Sequence, residues 1–450
     1  MNRRNFLRTT SIVAAAALMP NISLAAPIDF SQVGFDSGVY SSNNAQTIMI
    51  FLYGGASELG GNLTNIAQIK ANSQSSYDNY FRGVTTTTNG FWQEAGGMIM
   101  EELLANGDMN IFRTCYSKLR DDEGNRSHGR CVSQNQRGVV NDEDTAGIFS
   151  VIANTLYKNG AINGNTKLPF LTMEGESTFF SAPDFTLPSF LKPTALSSDL
   201  SNPYMRRNEN QSFYYTDDER RTDGYRDRRA ALDRAMDLLG QRKNKAGKIK
   251  ENFNKRVELN NFINTMKEAP TPEGVAYPDN SFAEKLETSI KIMANNPDTK
   301  IISLGSGGLG GWDDHNEARD YPIRMENLFS SIKAAVEHIK AEGKEGNINI
   351  MVWGDFGRGV NLNSALGWDH GNLQNLYMFG GKNYLNHVGV VGETVVSKTG
   401  SINRMYLKPK TGSYWFEPAS VAATLYSIYG ISNPQYLTGG HSAIGAGLLS

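Results

Sequence analysis

Six short apolar runs, each ending in glycine or a polar cluster, constrain this chain more than any other feature. Residues 47–53 run into Gly54-Gly55, 110–116 into a polar loop, and 168–173 into Glu174-Gly175. Residues 300–304 run into the glycine-rich stretch 305–311, 348–353 into Gly354-Asp355-Phe356-Gly357, and 375–379 into Gly380-Gly381. Apolar runs this short, bounded by turn residues, read as buried strands. Helical periodicity lies between them. Residues 322–342 place Leu328, Ile332, Ala335 and Ile339 on one face, and 418–429 do the same with Val421, Ala422, Leu425 and Ile428. In the second pattern Pro418 suits a helix start and Gly430 a stop. Strands alternating with helices predict an α/β fold, a mostly parallel sheet with helices on both faces. Chemistry in such folds gathers at the carboxyl ends of the strands, where these glycine and polar clusters fall.

With 450 residues, the chain is long enough for two or three domains or for one large α/β domain with insertions. Lys plus Arg total 44 against 46 Asp plus Glu, a net charge of −2, which argues against a nucleic-acid binder. No apolar run reaches the roughly 18 residues of a membrane span, so no transmembrane helix is expected. Residues 204–256 differ from the rest. They carry 15 basic and 9 acidic residues, with Ala231, Leu232, Ala235, Met236 and Leu239 at helical spacing. The expected organisation is a single domain over 27–450 with a charged helical insertion or cap at 204–270. Its basic excess suits an anionic substrate, or is simply a solvated helix face.

The first 26 residues read as an address. Arg3, Arg4 and Arg8 precede an apolar stretch at 11–19, and Ser23 and Ala25 suit a signal peptidase. The string Asn2-Arg3-Arg4-Asn5-Phe6-Leu7-Arg8 resembles a twin-arginine signal, which sends folded proteins out through the twin-arginine translocase. A periplasmic or secreted location is therefore expected. In that oxidising setting the two cysteines, Cys115 and Cys131, are expected to form a disulfide. Their spacing does not suit a cysteine-based zinc site.

Two dense polar motifs carry the chemistry. Gly310-Gly311-Trp312-Asp313-Asp314-His315 follows one predicted strand. Gly367-Trp368-Asp369-His370-Gly371-Asn372 follows another, shortly after Gly354-Asp355-Phe356-Gly357-Arg358. Carboxylate and imidazole together are ligands for zinc, manganese or iron in hydrolytic sites. The neighbouring glycines let backbone approach closely.

The leader and these three motifs together resemble a bacterial family called domain of unknown function 1501, itself similar to the alkaline phosphatase and sulfatase superfamily. The resemblance spans about 47–430. It implies an alkaline phosphatase-like fold and one or two divalent ions, zinc or manganese before calcium. It also implies metal ligation by Asp369 and His370, and by His315 with Asp313 or Asp314. Asp355 takes the strand-end acid as a ligand or as support for one. Arg358 takes an anion-binding role or pairs with Asp355. The string Arg126-Ser127-His128 matches a family motif, making Ser127 the candidate nucleophile, or a helix cap. By the same match His128 ligates metal or positions substrate. Two departures stand out. Ser57 stands where a metal-binding Asp is expected, so the neighbouring Glu58 substitutes or the second metal is lost. Asn375 stands where a third histidine ligand is expected. His387 and His441 match that place poorly, and His338 reads as structural. Two functions follow: an exported metal-dependent hydrolase of phosphate or sulfate esters, on a small anionic molecule or a glycan, or a non-catalytic binding or assembly protein on the same fold.

Overall fold

The computed structural model of the protein describes residues 27–72, 83–124, 126–139, 144–196, 269–316, 318–399 and 401–450, with isolated positions between 197 and 268. The expected export signal and nearly all of the expected insertion at 204–270 lie outside the described residues. The chain begins with α1 (Ser37–Asn43), β1 (Gln46–Leu52), α2 (Ile66–Asn72), α3 (Met98–Ala105) and β2 (Met109–Tyr116). It continues through α4 (Lys118–Glu123), α5 (His128–Arg137), α6 (Ile148–Lys158), β3 (Phe170–Thr172) and β4 (Thr194–Ala195). Then come α7 (Ser281–Asn295), β5 (Ile301–Gly305), α8 (Tyr321–Ala341) and β6 (Ile348–Gly354). Last are β7 (Arg358–Leu362), β8 (Trp368–His370), β9 (Leu373–Gly380), β10 (Val390–Val391), β11 (Thr394–Thr399), β12 (Ser401–Pro409) and α9 (Ala419–Ile428).

The main sheet has the order β10-β2-β9-β6-β1-β5-β3-β4. β1 pairs in parallel with β5 and β6, β3 with β4 and β5, and β10 with β2. β9 is antiparallel to both β2 and β6. The expected mostly parallel α/β sheet is therefore present, with β9 reversed. Its first residue, Leu373, faces Tyr116, the last residue of β2. The amino end of β9 thus meets the carboxyl ends of its neighbours, and the motif at 367–372 reaches that edge by preceding a strand of the sheet.

Alternation along β1 separates two cores. Ile48, Ile50 and Leu52 pack with Leu286 and Ile290 of α7 and Leu328 and Ile332 of α8. Met49 and Phe51 pack with Phe149 and Ile152 of α6 and Val421 and Leu425 of α9. Successive strand side chains point to opposite faces, so one apolar run serves both layers. No helix among the described residues is long and apolar enough to cross a membrane.

The cysteines correct the sequence reading. Cys115 on β2 and Cys131 on α5 are both fully buried and are not joined in a disulfide. Cys115 belongs to the core beneath α6 and α9, and burial pushes its thiol well above the usual range. It acts there as a small hydrophobe.

Candidate metal centre

Loops at the carboxyl edge of the sheet gather His128, Asp313, His315 and His370, with one ligand atom of each within 4.8 Å of the others. Asp313 Oδ1 is the hub. It lies 3.1 Å from His128 Nε2, 3.3 Å from His315 Nε2 and 3.8 Å from His370 Nε2. The Nε2 atoms of His315 and His370 face each other at 2.6 Å.

The opposite ring nitrogens explain what these Nε2 atoms are. His128 Nδ1 is 2.6 Å from Oδ2 of Asp355, a carboxylate with no exposure. His370 Nδ1 is 2.5 Å from the carbonyl oxygen of Arg126, which can only accept. His315 Nδ1 faces Asp369 Oδ1 at 4.0 Å. In His128 and His370 the acceptor behind Nδ1 places the proton there in the neutral ring and leaves the Nε2 lone pair directed into the group; His315 Nε2 faces the same point, with Asp369 too far from its Nδ1 for a hydrogen bond. Lone pairs converging beside a carboxylate repel one another unless a cation or proton lies between them. Three imidazoles, two of them with outer partners, and one carboxylate fit a divalent transition metal. Burial pushes His370 down to about 4, which keeps it neutral and ready to ligate. His128 moves the other way, raised chiefly by its hydrogen bond to Asp355.

Local sequence accounts for the convergence. His128 is the first residue of α5, and α5 is docked by Asn135, whose Nδ2 donates to the carbonyls of Gly354 and Asp355 at 2.8 and 3.0 Å. The buried Arg120 braces that helix through Gln134 and Asn135 at 2.7 and 2.6 Å. β7 and β8 pair so that Arg358 stands opposite His370. The two motif loops meet where Trp368 N donates to the Asp314 carbonyl at 2.6 Å and Asn316 bridges to Leu366. Glycine is required at Gly54, whose φ is +106° and whose missing Cβ would sit 2.6 Å from the backbone nitrogen of Asp313. The rings of His128 and His370 both pack on Phe356, with centroids 4.6 Å away.

Several expected site residues take other positions. Asp355 and Asp369 stand behind His128 and His315 and are not in the converging group. Asp313 joins it, while Asp314 turns away to Arg324 at 2.5 Å. Arg358 does not pair with Asp355. Its guanidinium is fully buried, donating to Asp313 Oδ1 at 2.6 Å and to the carbonyls of Gly54, Gly55, Trp312 and Trp368. Those acceptors consume its donors, so it fixes loops and holds the Asp313 carboxyl below the usual range against the opposing effect of burial. Glu58 is buried and its Oε2 accepts from Arg358 N at 2.8 Å, outside the group; complete burial pushes it up to about 8. Asn375 donates to the Glu58 carbonyl and the Tyr377 hydroxyl, both at 2.8 Å, as scaffold. Ser127 is the exposed N-cap residue of α5, next to His128, and its hydroxyl does not cap the helix. His338 is buried, 3.0 Å from the Tyr277 hydroxyl, as its structural reading expects. Neither His387 nor His441 is in the group.

Sequence reasoning overlooked Asn363, which donates to the His315 carbonyl and to Asp369 at 3.0 and 3.3 Å, and it quoted Phe356 only as part of a motif. Nothing local marks Asn363. Among the described residues a single group of this kind forms.

No protein-family model matches the chain, and a comparison with curated proteins finds no match. The chain has a likeness to the crystal structure of Ps i-CgsB in complex with k-i-k-neocarrahexaose, at 12% identity and TM-score 0.36, covering 89% of this chain and 74% of that one. It has a likeness to the lipoteichoic acid synthase LtaP from Listeria monocytogenes, at 10% identity and TM-score 0.34, covering 93% and 79%. A third is the phosphonate monoester hydrolase SpPMH from Silicibacter pomeroyi, at 13% identity and TM-score 0.29, covering 89% and 77%. At such scores these likenesses say nothing about activity, and the site is read from its own geometry.

Proposed function

We propose that the protein is a hydrolase of phosphate or sulfate esters that works with one divalent ion, zinc before manganese or calcium, held by His128, Asp313, His315 and His370. The convergence of three imidazole Nε2 atoms and one carboxylate carries this reading. The group is open on one side, with the side chains of Asp313 and His315 52% and 40% exposed. A closed structural zinc site needs no such opening, whereas a catalytic one keeps a position for substrate. A bound ion would supply Lewis-acid charge to a tetrahedral oxyanion. The chain's own residues do the rest. Asp355 orients the His128 imidazole, Phe356 supports the rings, and Arg358 locks Asp313 in place. Ser127, at the start of α5 beside His128, is the residue we assign as nucleophile. On this proposal the chain is a twin-arginine-exported member of the domain of unknown function 1501 family, alkaline phosphatase-like, in the periplasm or secreted. The motifs quoted above support that assignment.

The test is elemental mass spectrometry of the exported, folded protein, followed by an ester screen. One equivalent of metal, lost in His370→Ala, together with turnover of phosphate or sulfate esters, is the expected result. No metal after incubation with zinc, manganese and calcium overturns the proposal. The non-catalytic alternative draws support from Glu58 and Asn375, which are committed to scaffold and leave no second ion site among the described residues. Metal-loaded protein that turns over none of the esters decides for it.

A further inference from the structure

A second cleft, about 590 Å³ in volume, opens at the same edge of the sheet. Two of its walls are continuous with the metal group. On one side α5 contributes Val132 and Gln136, four and eight residues after His128 and so on the same helix face. At a rise of about 1.5 Å per residue, the part of α5 that lines the cleft lies about 6–12 Å along the helix from His128, which does not itself line it. On the other side lie Gly310 and Gly311, three and two residues before Asp313. Tyr53 and Glu174, just past the ends of β1 and β3, also line it.

We infer that this cleft receives the organic half of the substrate, and that this half is a neutral polyhydroxyl group, a sugar or polyol. The inference rests on the ester-hydrolase reading for its orientation only. Hydrogen-bonding groups line the cleft in a connected chain. Ser177 Oγ donates to Gln136 Oε1 at 3.2 Å, and Gln136 Nε2 donates to the Tyr53 hydroxyl at 2.8 Å. Gln136 is buried and both ends of its amide are used in these bonds, so it orients the Ser177 and Tyr53 hydroxyls, which beside the Tyr53 ring suit vicinal hydroxyls. The charges disfavour a second anion. Glu174 and Glu176 line the cleft against one lysine, Lys285. The anionic ester is thus left to the metal group, and the neutral part to the cleft. Space is open where a side chain is missing: a Cβ on Gly311 would meet nothing within 4 Å.

The experiment uses the full chain loaded with zinc and two variants, Gly311→Val, which fills the cleft, and Gln136→Leu, which cuts the hydrogen-bond chain. Metal content is measured for each. Glucose 6-phosphate and glucose 6-sulfate are compared with 4-nitrophenyl phosphate and sulfate and with fructose 1,6-bisphosphate. Maltose binding is followed separately by saturation-transfer NMR. Wild type is expected to prefer the glucose esters over the bisphosphate at least tenfold in kcat/KM. Both variants are expected to keep their metal and their aryl-ester turnover, to lose glucose-ester kcat/KM at least tenfold, and to lose the maltose signal. Equal loss on aryl and glucose esters with metal retained overturns the inference, as does preference for the bisphosphate. If no ester is turned over at all, the hydrolase reading falls and maltose alone decides. A signal in wild type that Gly311→Val abolishes upholds the cleft, and no signal, or an equal one, overturns it.

Discussion

Replacing Asp355 by asparagine changes one charge and almost no volume, at a carboxylate that has no solvent exposure and sits 2.6 Å from His128 Nδ1. In the wild type that carboxylate holds the Nδ1 proton through a charge-assisted hydrogen bond. A hydrogen bond to a charged group contributes about 1.5–3 kcal/mol and a neutral one about 0.5–1.5 kcal/mol. The substitution therefore weakens the support behind His128 by about 1–2 kcal/mol, which is about five- to thirtyfold in metal affinity. That overlaps the range of about 10–100-fold seen when a group behind a metal-ligating histidine is changed. Asp369→Asn is the internal comparison. Its carboxylate is 4.0 Å from His315 Nδ1 and its side chain is 47% exposed, so water screens it and the loss should be about threefold or less. Competition titration against a chromophoric zinc chelator, with circular dichroism to verify folding, reads both. Unchanged affinity in Asp355→Asn, or a larger loss in Asp369→Asn, would refute this division of roles, the second by making Asp369 a direct ligand.

Three further outcomes are expected. Gly54→Ala forces a side chain into the left-handed region and against the Asp313 backbone, so urea unfolding should show a loss of about 2–4 kcal/mol, together with loss of metal. Metal affinity should fall with falling pH, beginning above the ordinary histidine value of 6.5, because the ion must displace the proton that Asp355 helps His128 retain. In Asp355→Asn that fall should begin at lower pH, and an unmoved onset would count against the assignment. His338 is pushed from 6.5 down to about 4, by burial first and then by Lys291. The unfolded chain protonates at 6.5 and the folded one resists, so this contribution is complete above pH 6.5 and is lost as pH falls towards 4. It amounts to up to about 3 kcal/mol. Urea titrations at pH 7 and pH 5 should show a smaller pH dependence in His338→Gln, and identical slopes would refute it.

Much of the architecture was legible in the chain. The run at 348–353 became β6 at Ile348–Gly354, and the pattern at 322–342 became α8 at Tyr321–Ala341. Burial period and glycine punctuation are local properties, so they survive into the fold. The direction of β9 was not legible, because an apolar strand buried on both faces reads the same either way. The two thiols misled because a compartment sets whether oxidation is allowed, whereas packing sets whether two sulfurs meet. His315 and His370, each in a dense motif, and His128, which follows a serine in another, are candidates that the fold brings together.

What separated ligand from support was tertiary structure. Asp313, Asp314, Asp355 and Asp369 are alike in sequence, each beside glycine, tryptophan or histidine. One turns into the group, one pairs with Arg324, and two stand behind imidazoles. Residue type determined that this edge of the sheet would hold carboxylates and imidazoles, since apolar strands must end in polar turns. Which oxygen meets which nitrogen depends on loop-to-loop contacts such as Trp368 with Asp314, and on Arg358, whose guanidinium joins four backbone carbonyls from three segments. Those contacts link residues tens to hundreds of positions apart, and no local periodicity encodes them.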